Sequence, residues 1–321
     1  MNWISKILRV GEKIKTNIQK KFPTKKEQAD SKWISCCAGP TLKSNIFNNE
    51  QLNTCPECNK HFPFTPRERF DHFFGKNNYE ILDTPKPPDN PIDWPDKIYE
   101  EKLKKARKLT GHHCAVMVVQ GIRDGIKVTS FAIDSRFIGG SINNSSGEAI
   151  VSCFARALED KTPVVGWSEG GGQAMYQSGI ALQFMVKTVL AVNTFKKESG
   201  QPYVNIYTNK CYGGITASFA APSLSDITFA EPSQGNGTMV GFAGQAIVRN
   251  QTREELSSDF QSSNQMLEKG FIDHLFHRKE INDKIINILK ILLHRKSNYK
   301  EIKNELEATK NNSKVGEKIS A

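Results

Sequence analysis

The segment Tyr207-Thr208-Asn209-Lys210-Cys211-Tyr212-Gly213-Gly214-Ile215-Thr216-Ala217-Ser218-Phe219-Ala220 is the part of this chain best equipped for chemistry. A strand-like run, Tyr203–Tyr207, ends in a polar turn, and two adjacent glycines then open a run of small residues that predicts a helix over 214–221. Without Cβ atoms, a Gly-Gly pair lets a ligand approach the backbone and lets two N–H groups point at one atom. At a helix N-terminus such N–H groups lack internal partners, and the dipole there favours negative charge. The pattern is that of an oxyanion hole. A second run, Ser168-Glu169-Gly170-Gly171-Gly172, follows the apolar strand pattern Pro163–Trp167 and precedes a helical pattern over 173–194. Glycine turns are common, but two of them, each between a buried strand and a helix, are a specific arrangement.

Other reactive residues are weaker candidates. Cys211 beside the turn is either a nucleophile activated by the helix start or a small buried residue. Glu169 is a general base only if buried, and otherwise a solvated loop acid. His112 and His113 read as a polar strand edge, and Glu231 before Pro232 as a structural strand end. No Ser-His-Asp arrangement is evident.

The seven cysteines are an odd number in a chain without an export signal, which argues against a disulfide framework. Four of them lie between positions 36 and 58. Cys55-Pro56-Glu57-Cys58 is a knuckle whose two thiolates can reach one zinc ion at about 2.3 Å. Its expected counterpart is Ser35-Cys36-Cys37-Ala38-Gly39, where glycine stands in the place of a second knuckle cysteine. Cys36, Cys55 and Cys58 supply three metal ligands, with Cys37 or His61 as candidates for a fourth. The competing reading is a vestigial ribbon held by packing.

The elements that must position these residues are legible in the pattern. Residues 115–120 and 126–133 are β-branched strands joined by Arg123-Asp124-Gly125. Helices are expected over about 95–109 and 148–159, a further strand over 227–230, and an amphipathic helix over 280–293. Strands alternating with helices of this length predict an α/β domain with helices packed around a sheet. The expected organisation is a basic amphipathic segment (1–32), a zinc-ribbon-like module (33–75), a proline-rich linker and helix (76–110), the α/β domain (111–295) and a disordered tail (296–321).

The net charge of +10 is concentrated at the ends, with nine Lys/Arg against three acids in residues 1–32 and seven against four in 295–321. Such segments suit nucleic acid, an anionic membrane or a phosphorylated ligand, or are solvated tails. No apolar run approaches the roughly 18 residues of a membrane span, and no signal-peptide pattern opens the chain, so a cytoplasmic protein is expected.

Taken in order, these segments resemble the β subunit of the bacterial acetyl-coenzyme A carboxylase carboxyltransferase. The resemblance rests on Met1-Asn2-Trp3-Ile4, Cys55–Cys58, Phe137-Ile138-Gly139-Gly140-Ser141, Gly213–Ala220, Ala230-Glu231-Pro232, Gly241-Phe242-Ala243-Gly244 and Leu267-Glu268-Lys269-Gly270-Phe271-Ile272-Asp273. It implies a crotonase-like (ββα superhelix) domain preceded by a small, degenerate zinc ribbon. It also implies an α-type partner subunit, usually in an α2β2 assembly, and a role in fatty acid biosynthesis. The implied reaction moves a carboxyl group from carboxybiotin, carried on a separate biotin carboxyl carrier protein, to acetyl-CoA or another acyl-CoA, giving malonyl-CoA from acetyl-CoA. By the resemblance, Gly213 and Gly214 supply oxyanion-hole N–H groups. Gly170, Gly171, Gly172, Gly139, Gly140 and Tyr212 then line the substrate cleft.

Several positions depart from the family pattern. Ala174 replaces an arginine and Gln177 an acid, Cys211-Tyr212 replaces Thr-Met, and the loop after Ser141 reads Ile142-Asn143-Asn144-Ser145-Ser146. A polar insertion spans Ser233–Thr238, and Gly39 breaks the first knuckle. Three functions therefore compete. The first is a working β subunit. The second is a repurposed paralogue doing other enolate or thioester chemistry (decarboxylation, cyclisation) or an inhibitor-resistant variant. The third, less favoured, is a non-catalytic scaffold or nucleic-acid-binding subunit.

Overall fold

The computed structural model describes residues 31–36, 39–95, 97–234 and 237–294. The amphipathic segment expected at 3–18, Cys37, the core of the polar insertion (Gly235-Asn236) and the tail lie outside the described residues. The chain divides into two compact units, Met1–Lys60 and His61–Ala321.

In the smaller unit, β1 (Trp33–Cys36) and β2 (Gly39–Leu42) pair antiparallel, with Cys36 opposite Gly39. The Cys55–Cys58 turn follows, closed by the Cys55 N–H to Lys60 C=O bond at 2.9 Å.

The larger unit is built on a twisted mixed sheet. Its strands are β3 (Tyr79–Ile81), β4 (Val116–Arg123), β5 (Ile126–Ile133), β6 (Val164–Gly170), β7 (Tyr203–Tyr212), β8 (Ile227–Ala230), β9 (Met239–Gly241) and β10 (His274–Leu275). The order is β10-β8-β7-β6-β5-β4-β3, with β9 alongside the end of β7. The β3-β4-β5 part is antiparallel, and between β4 and β5 the Asp124-Gly125 turn takes positive φ at both residues and reverses the chain directly. From β5 onwards the pairing is parallel, with helical crossovers from β5 to β6 and from β6 to β7 and a run of turns from β7 to β8.

Alternation along the strands feeds two cores. Val116, Val118, Tyr203 and Tyr207 face one layer, with Phe131, Phe154 and Phe195. That layer holds α2 (Ile98–Thr110), α3 (Asn144–Glu159) and α4 (Ser178–Ser199). Met117, Val119, Val204 and Ile206 face the other, against α1 (Pro66–Phe74) and a helix over 281–294. Residues 66–74, grouped with the cysteine module on sequence, thus cover the sheet. Their start is fixed by a capping box between Thr65 and Glu68.

Two expectations are corrected. Residues 213–220 form a succession of turns instead of a regular helix. Thr216 Oγ1 donates to the Gly213 and Gly241 carbonyls at 3.0 Å each, and Ser218 Oγ donates to the Gly214 carbonyl. Hydroxyls that bond nearby carbonyls offer the backbone an alternative to the helical ladder. The helix dipole therefore contributes nothing at Gly214. The second correction concerns α4, which with its preceding turn (Met175–Ser199) is long and apolar enough to cross a membrane, at a mean hydropathy of 1.2. Lys187 interrupts the run, which is why no continuous stretch shows in the sequence. Its inner face (Ala181, Phe184, Thr188, Val192, Phe195) is buried, with Phe184 seated on Gly147 of α3.

Candidate functional site

Three glycine turns meet at the ends of β5, β6 and β7. Gly171 donates its N–H to the Gly139 carbonyl at 3.0 Å, and Ile142 donates to the Gly172 carbonyl at 2.9 Å. Gly170 (φ +130°) lies so close to Gly140 that a Cβ would collide with the Gly140 carbonyl. Gly172 (φ +103°) backs onto the other turn, where a Cβ would stand 3.2 Å from the Gly214 nitrogen and 3.3 Å from the Gly213 Cα. The turns predicted from separate stretches of sequence thus form one surface of bare backbone. Tethers from the sheet hold its far side: the Tyr203 hydroxyl donates to the Phe219 carbonyl at 3.1 Å, and the Tyr207 hydroxyl to that of Ala220.

The donor arrangement is sharper than the sequence suggests. Gly213 N–H donates to the Phe242 carbonyl at 2.8 Å, so the first glycine of the pair is already engaged. Among the described residues the Gly214 N–H has no acceptor. Beside it, Tyr212 is half-buried with its ring about 4 Å from where a Gly244 Cβ would lie. Tyr212 also lines a 330 Å³ cavity with Lys210, Met239, Gly244, Gln245, Ala246 and Arg249. Burial pushes the Tyr212 phenol up, so it stays protonated at neutral pH.

The weaker candidates resolve. Cys211 is fully buried, and burial pushes its thiol well up, which removes it as a nucleophile. Glu169 is buried beneath the glycine turn, accepting from the Ser135 N–H at 3.0 Å and from the Thr208 hydroxyl at 3.1 Å. Burial pushes its carboxyl up against those bonds. Both oxygens serve the loop's support. His113 Nε2 faces Ser145 Oγ at 3.4 Å, at a polar strand edge.

Glu231 anchors a buried ion cluster that the sequence shows only as a strand end. Its carboxylate takes Arg278 at 2.6 Å and Arg69 at 3.0 Å, with His61 Nδ1 at 3.2 Å. Burial alone would raise its carboxyl, but the two guanidinium groups hold it well below the usual range. The His61 Nδ1 approach is close without hydrogen-bond geometry, and neither ring nitrogen has a hydrogen-bond partner among the described residues.

The departures from the family pattern are organised. Gln177 Oε1 accepts from the Asn144 N–H at 2.6 Å, and Gln177 Nε2 donates to Asn144 Oδ1 at 2.9 Å and to the Asp89 carbonyl at 3.0 Å. Asn144 Nδ2 donates to the Pro88 carbonyl at 2.7 Å, and Asn143 Nδ2 to the Tyr99 hydroxyl at 3.3 Å. Asp89 forms two bonds with Arg107, at 2.7 and 2.6 Å. Tyr176 stacks on Tyr99 at 5.0 Å, and its carbonyl accepts from Trp94 Nε1 at 2.6 Å. These residues clamp the proline-rich segment onto the end of the glycine loop. Ala174 is buried within that loop, its N–H on the Ile142 carbonyl.

Cys36, Cys55 and Cys58 converge, with their sulfurs within 4.8 Å of one another and those of Cys36 and Cys55 3.5 Å apart. A tetrahedral zinc ion with bonds of about 2.3 Å holds its sulfurs roughly 3.8 Å apart, so the three fit one ion.

Comparison with known proteins places this arrangement. A family model for the carboxyl transferase domain matches residues 95–320. The chain is 45% identical to the acetyl-coenzyme A carboxylase carboxyl transferase subunit beta of Pelagibacter ubique over 95% of its own length and 96% of that protein's. The chain belongs to this beta-subunit family of carboxyl transferases. A family member from Brucella anthropi is 32% identical over 93% of the chain and 95% of its own length. Among solved structures, a Pseudomonas malonate decarboxylase hetero-dimer shares the fold (TM-score 0.54, 18% identity, 71% of this chain and 86% of that one). So does a transcarboxylase 12S core (TM-score 0.54, 19% identity, 71% of this chain and 41% of that one). The fold is crotonase-like, and the chain is a biotin-dependent carboxyltransferase beta subunit. The scaffold reading gives way to an enzyme subunit.

Proposed function

We propose that this beta subunit works with an alpha-type carboxyltransferase subunit, in an α2β2 assembly in the cytoplasm, to carboxylate acetyl-CoA. Carboxybiotin, on a separate biotin carboxyl carrier protein, is the donor. Its N–C bond breaks, a C–C bond forms at the acetyl methyl carbon, and the ureido group takes up the methyl proton. Negative charge develops on the thioester oxygen as the methyl proton leaves, and on the ureido oxygen as the carboxyl leaves. The single observation that carries the reading is the contact of the two glycine turns, with the Gly214 N–H unengaged at their junction. A fixed backbone donor aimed at a developing oxyanion contributes about 3–4 kcal/mol, with no side chain to ionise. Gly213, whose own N–H is bonded to the Phe242 carbonyl at 2.8 Å, holds the turn that presents this donor. Gly170–Gly172, Gly139, Gly140 and Tyr212 form the wall that the acyl thioester approaches.

The apolar outer face of α4 supports an alpha-type partner. Leu182, Val186 and Leu190 on the helix, and Met175 in the turn before it, are each more than half exposed, and the helix starts one turn after the glycine loop. Beside it, a 680 Å³ groove runs between Pro87, Pro88 and Pro91 and residues Ile180, Phe184 and Leu190. A partner seated there covers the face and closes the site's mouth. We assign zinc to the Cys36–Cys55–Cys58 cluster, where it would fix the ribbon's fold and take no part in transfer.

The decisive experiment mixes the chain with an alpha-type subunit and a carboxylated biotin carrier, and follows labelled carboxyl into malonyl-CoA. Transfer is expected from the pair and none from either subunit alone. A pair that associates but transfers nothing to acetyl-CoA overturns the reading. Leu182→Glu with Leu190→Glu is expected to abolish pairing while leaving the chain's own melting temperature unchanged.

A further inference from the structure

We infer that Gln173 is a further catalytic residue, whose side-chain amide acts with the Gly214 N–H on the oxygen of the acyl thioester. The inference rests on the carboxyltransferase reading above and deepens it, by adding a side chain to the glycine turns. It starts from a shortfall of donors. An oxyanion is best held by two converging donors, and a glycine pair can supply both. Here the Gly213 N–H is taken by the Phe242 carbonyl at 2.8 Å, so among the described residues the pair offers the Gly214 N–H alone.

Three observations place Gln173 beside that donor. First, the two residues pack together: a Cβ on Gly214 would stand 2.6 Å from Gln173 Cγ and 3.0 Å from Gln173 Cδ. That Cβ position and the Gly214 nitrogen share one Cα, so the amide lies beside the free N–H. Second, the amide is unengaged. Gln173 Oε1 is buried without a hydrogen-bond partner, and neither end of the amide is bonded among the described residues. Buried polar atoms are nearly always bonded, so an orphaned amide beside an orphaned N–H marks a place for a third polar group. Third, the side chain is anchored. Ile142 donates to the Gly172 carbonyl and accepts from the Ala174 N–H, each at 2.9 Å, which brackets residue 173 on both sides. Met185 of α4 closes in from the helix, its Sδ 3.1 Å from the same Cβ position.

A glutamine amide carries an acceptor at one end and two N–H donors at the other, and a half turn about its last bond exchanges them. With Nε2 turned to the junction, an acyl oxygen entering there meets the Gly214 N–H and an Nε2–H together. Negative charge grows on that oxygen as the methyl proton leaves, and the bonds from both donors strengthen with it. Side-chain amides serve in oxyanion holes as backbone N–H groups do. The amide keeps both its protons and stays neutral, so it stabilises charge without taking part in proton or carboxyl transfer. The next residue, Ala174, stands where the family pattern has an arginine and offers no side-chain donor, which leaves that part to Gln173.

The test compares the full-length wild-type chain, Gln173→Ala and Gln173→Glu, each assembled with the alpha-type subunit. Gln173→Ala loses one oxyanion donor and is expected to lower kcat on the order of a hundredfold, with KM for acetyl-CoA little changed. Gln173→Glu keeps the shape but sets a carboxylate against the growing charge. Its deficit should be larger at about pH 8 and ease towards about pH 6, as the carboxyl takes up a proton and donates. A merely structural role gives no such recovery. A second measurement needs no turnover: the carbonyl stretching frequency of carbonyl-labelled acetyl-CoA bound to the pair. Wild type is expected to lower it from the free value, and Gln173→Ala to give back about half of that shift, one donor of two. Circular dichroism checks folding, and Gln173→Glu carries the test if the alanine variant fails to fold. A wild-type kcat in Gln173→Ala, a stretch unaltered by either substitution, or a Gln173→Glu deficit independent of pH overturns the assignment and leaves the carboxyltransferase reading in place. A wild-type pair that shows the Gln173-dependent shift but transfers no carboxyl overturns that reading and leaves the donor pair standing. A pair that binds no acetyl-CoA overturns both.

Discussion

Two regions of the larger unit, the glycine junction and the Glu231 cluster, handle polarity in opposite ways. At the junction, the turns around Gly140, Gly170, Gly172 and Gly213 meet largely through backbone, with only the Ile133 and Ile215 side chains reaching Gly140 and Gly170. Around Glu231, long charged side chains from distant segments converge on one buried carboxylate. The first region has no room for one more carbon at Gly140 or Gly170. The second has no tolerance for one charge fewer. Catalytic geometry depends on the first and the rigidity of the frame beneath it on the second.

The largest expected effect tests the charged region. Glu231→Gln leaves Arg69 and Arg278 buried without a counter-charge, and removing one partner of a buried pair costs about 3–5 kcal/mol. Urea denaturation should show that loss; a change under about 1 kcal/mol would mean that solvent reaches the cluster. Gly170→Ala tests the junction. The collision with the Gly140 carbonyl must displace one turn, and a displacement near 1 Å lowers transfer on the order of a hundredfold. Activity within threefold of wild type would show that the junction is plastic.

Gln177→Ala tests whether side chains also support the backbone site. It strips the Asn144 N–H of its acceptor, a loss of about 1–3 kcal/mol for a buried donor. Proteolysis within residues 85–95 should quicken in parallel. Unaltered cleavage would separate the clamp from the proline-rich segment.

The smallest effect is in pH. Burial, with His61 adding to it, lowers the His277 imidazole to about 4 from an ordinary 6.5. The folded state therefore binds fewer protons than the unfolded one between those values. The stability His277 confers is full above about pH 6.5 and is lost as pH falls towards 4. The depressed Glu231 carboxyl acts in the same direction at lower pH. His277→Gln should flatten the pH 4–6.5 limb of the melting curve; an unaltered limb would assign it to other groups.

Much of this was legible in the sequence. The strand at 126–133 was read to the residue, because alternation and β-branching are local signals. The glycine runs were legible as turns, and their order and spacing carried the family. The helix expected at 214–221 was misread, because a run of small residues with Thr216 and Ser218 suits both helix and hydroxyl-bonded turns. The departures at Asn144 and Gln177 show on sequence only as breaks in the family pattern, since a bond between residues 33 apart leaves no trace in local pattern.

The sequence by itself determined the strand and helix types, the glycine turns, the cysteine spacing and the membership of a family. Those depend on backbone preferences and on side chains within a turn or two of one another. Only the tertiary structure decided that Gly170–Gly172 touches Gly213–Gly214, that Gly213 is engaged while Gly214 is available, and that Glu231 is ringed by cations. Each of these is a contact between segments far apart in the chain, fixed by how the sheet and its helices pack.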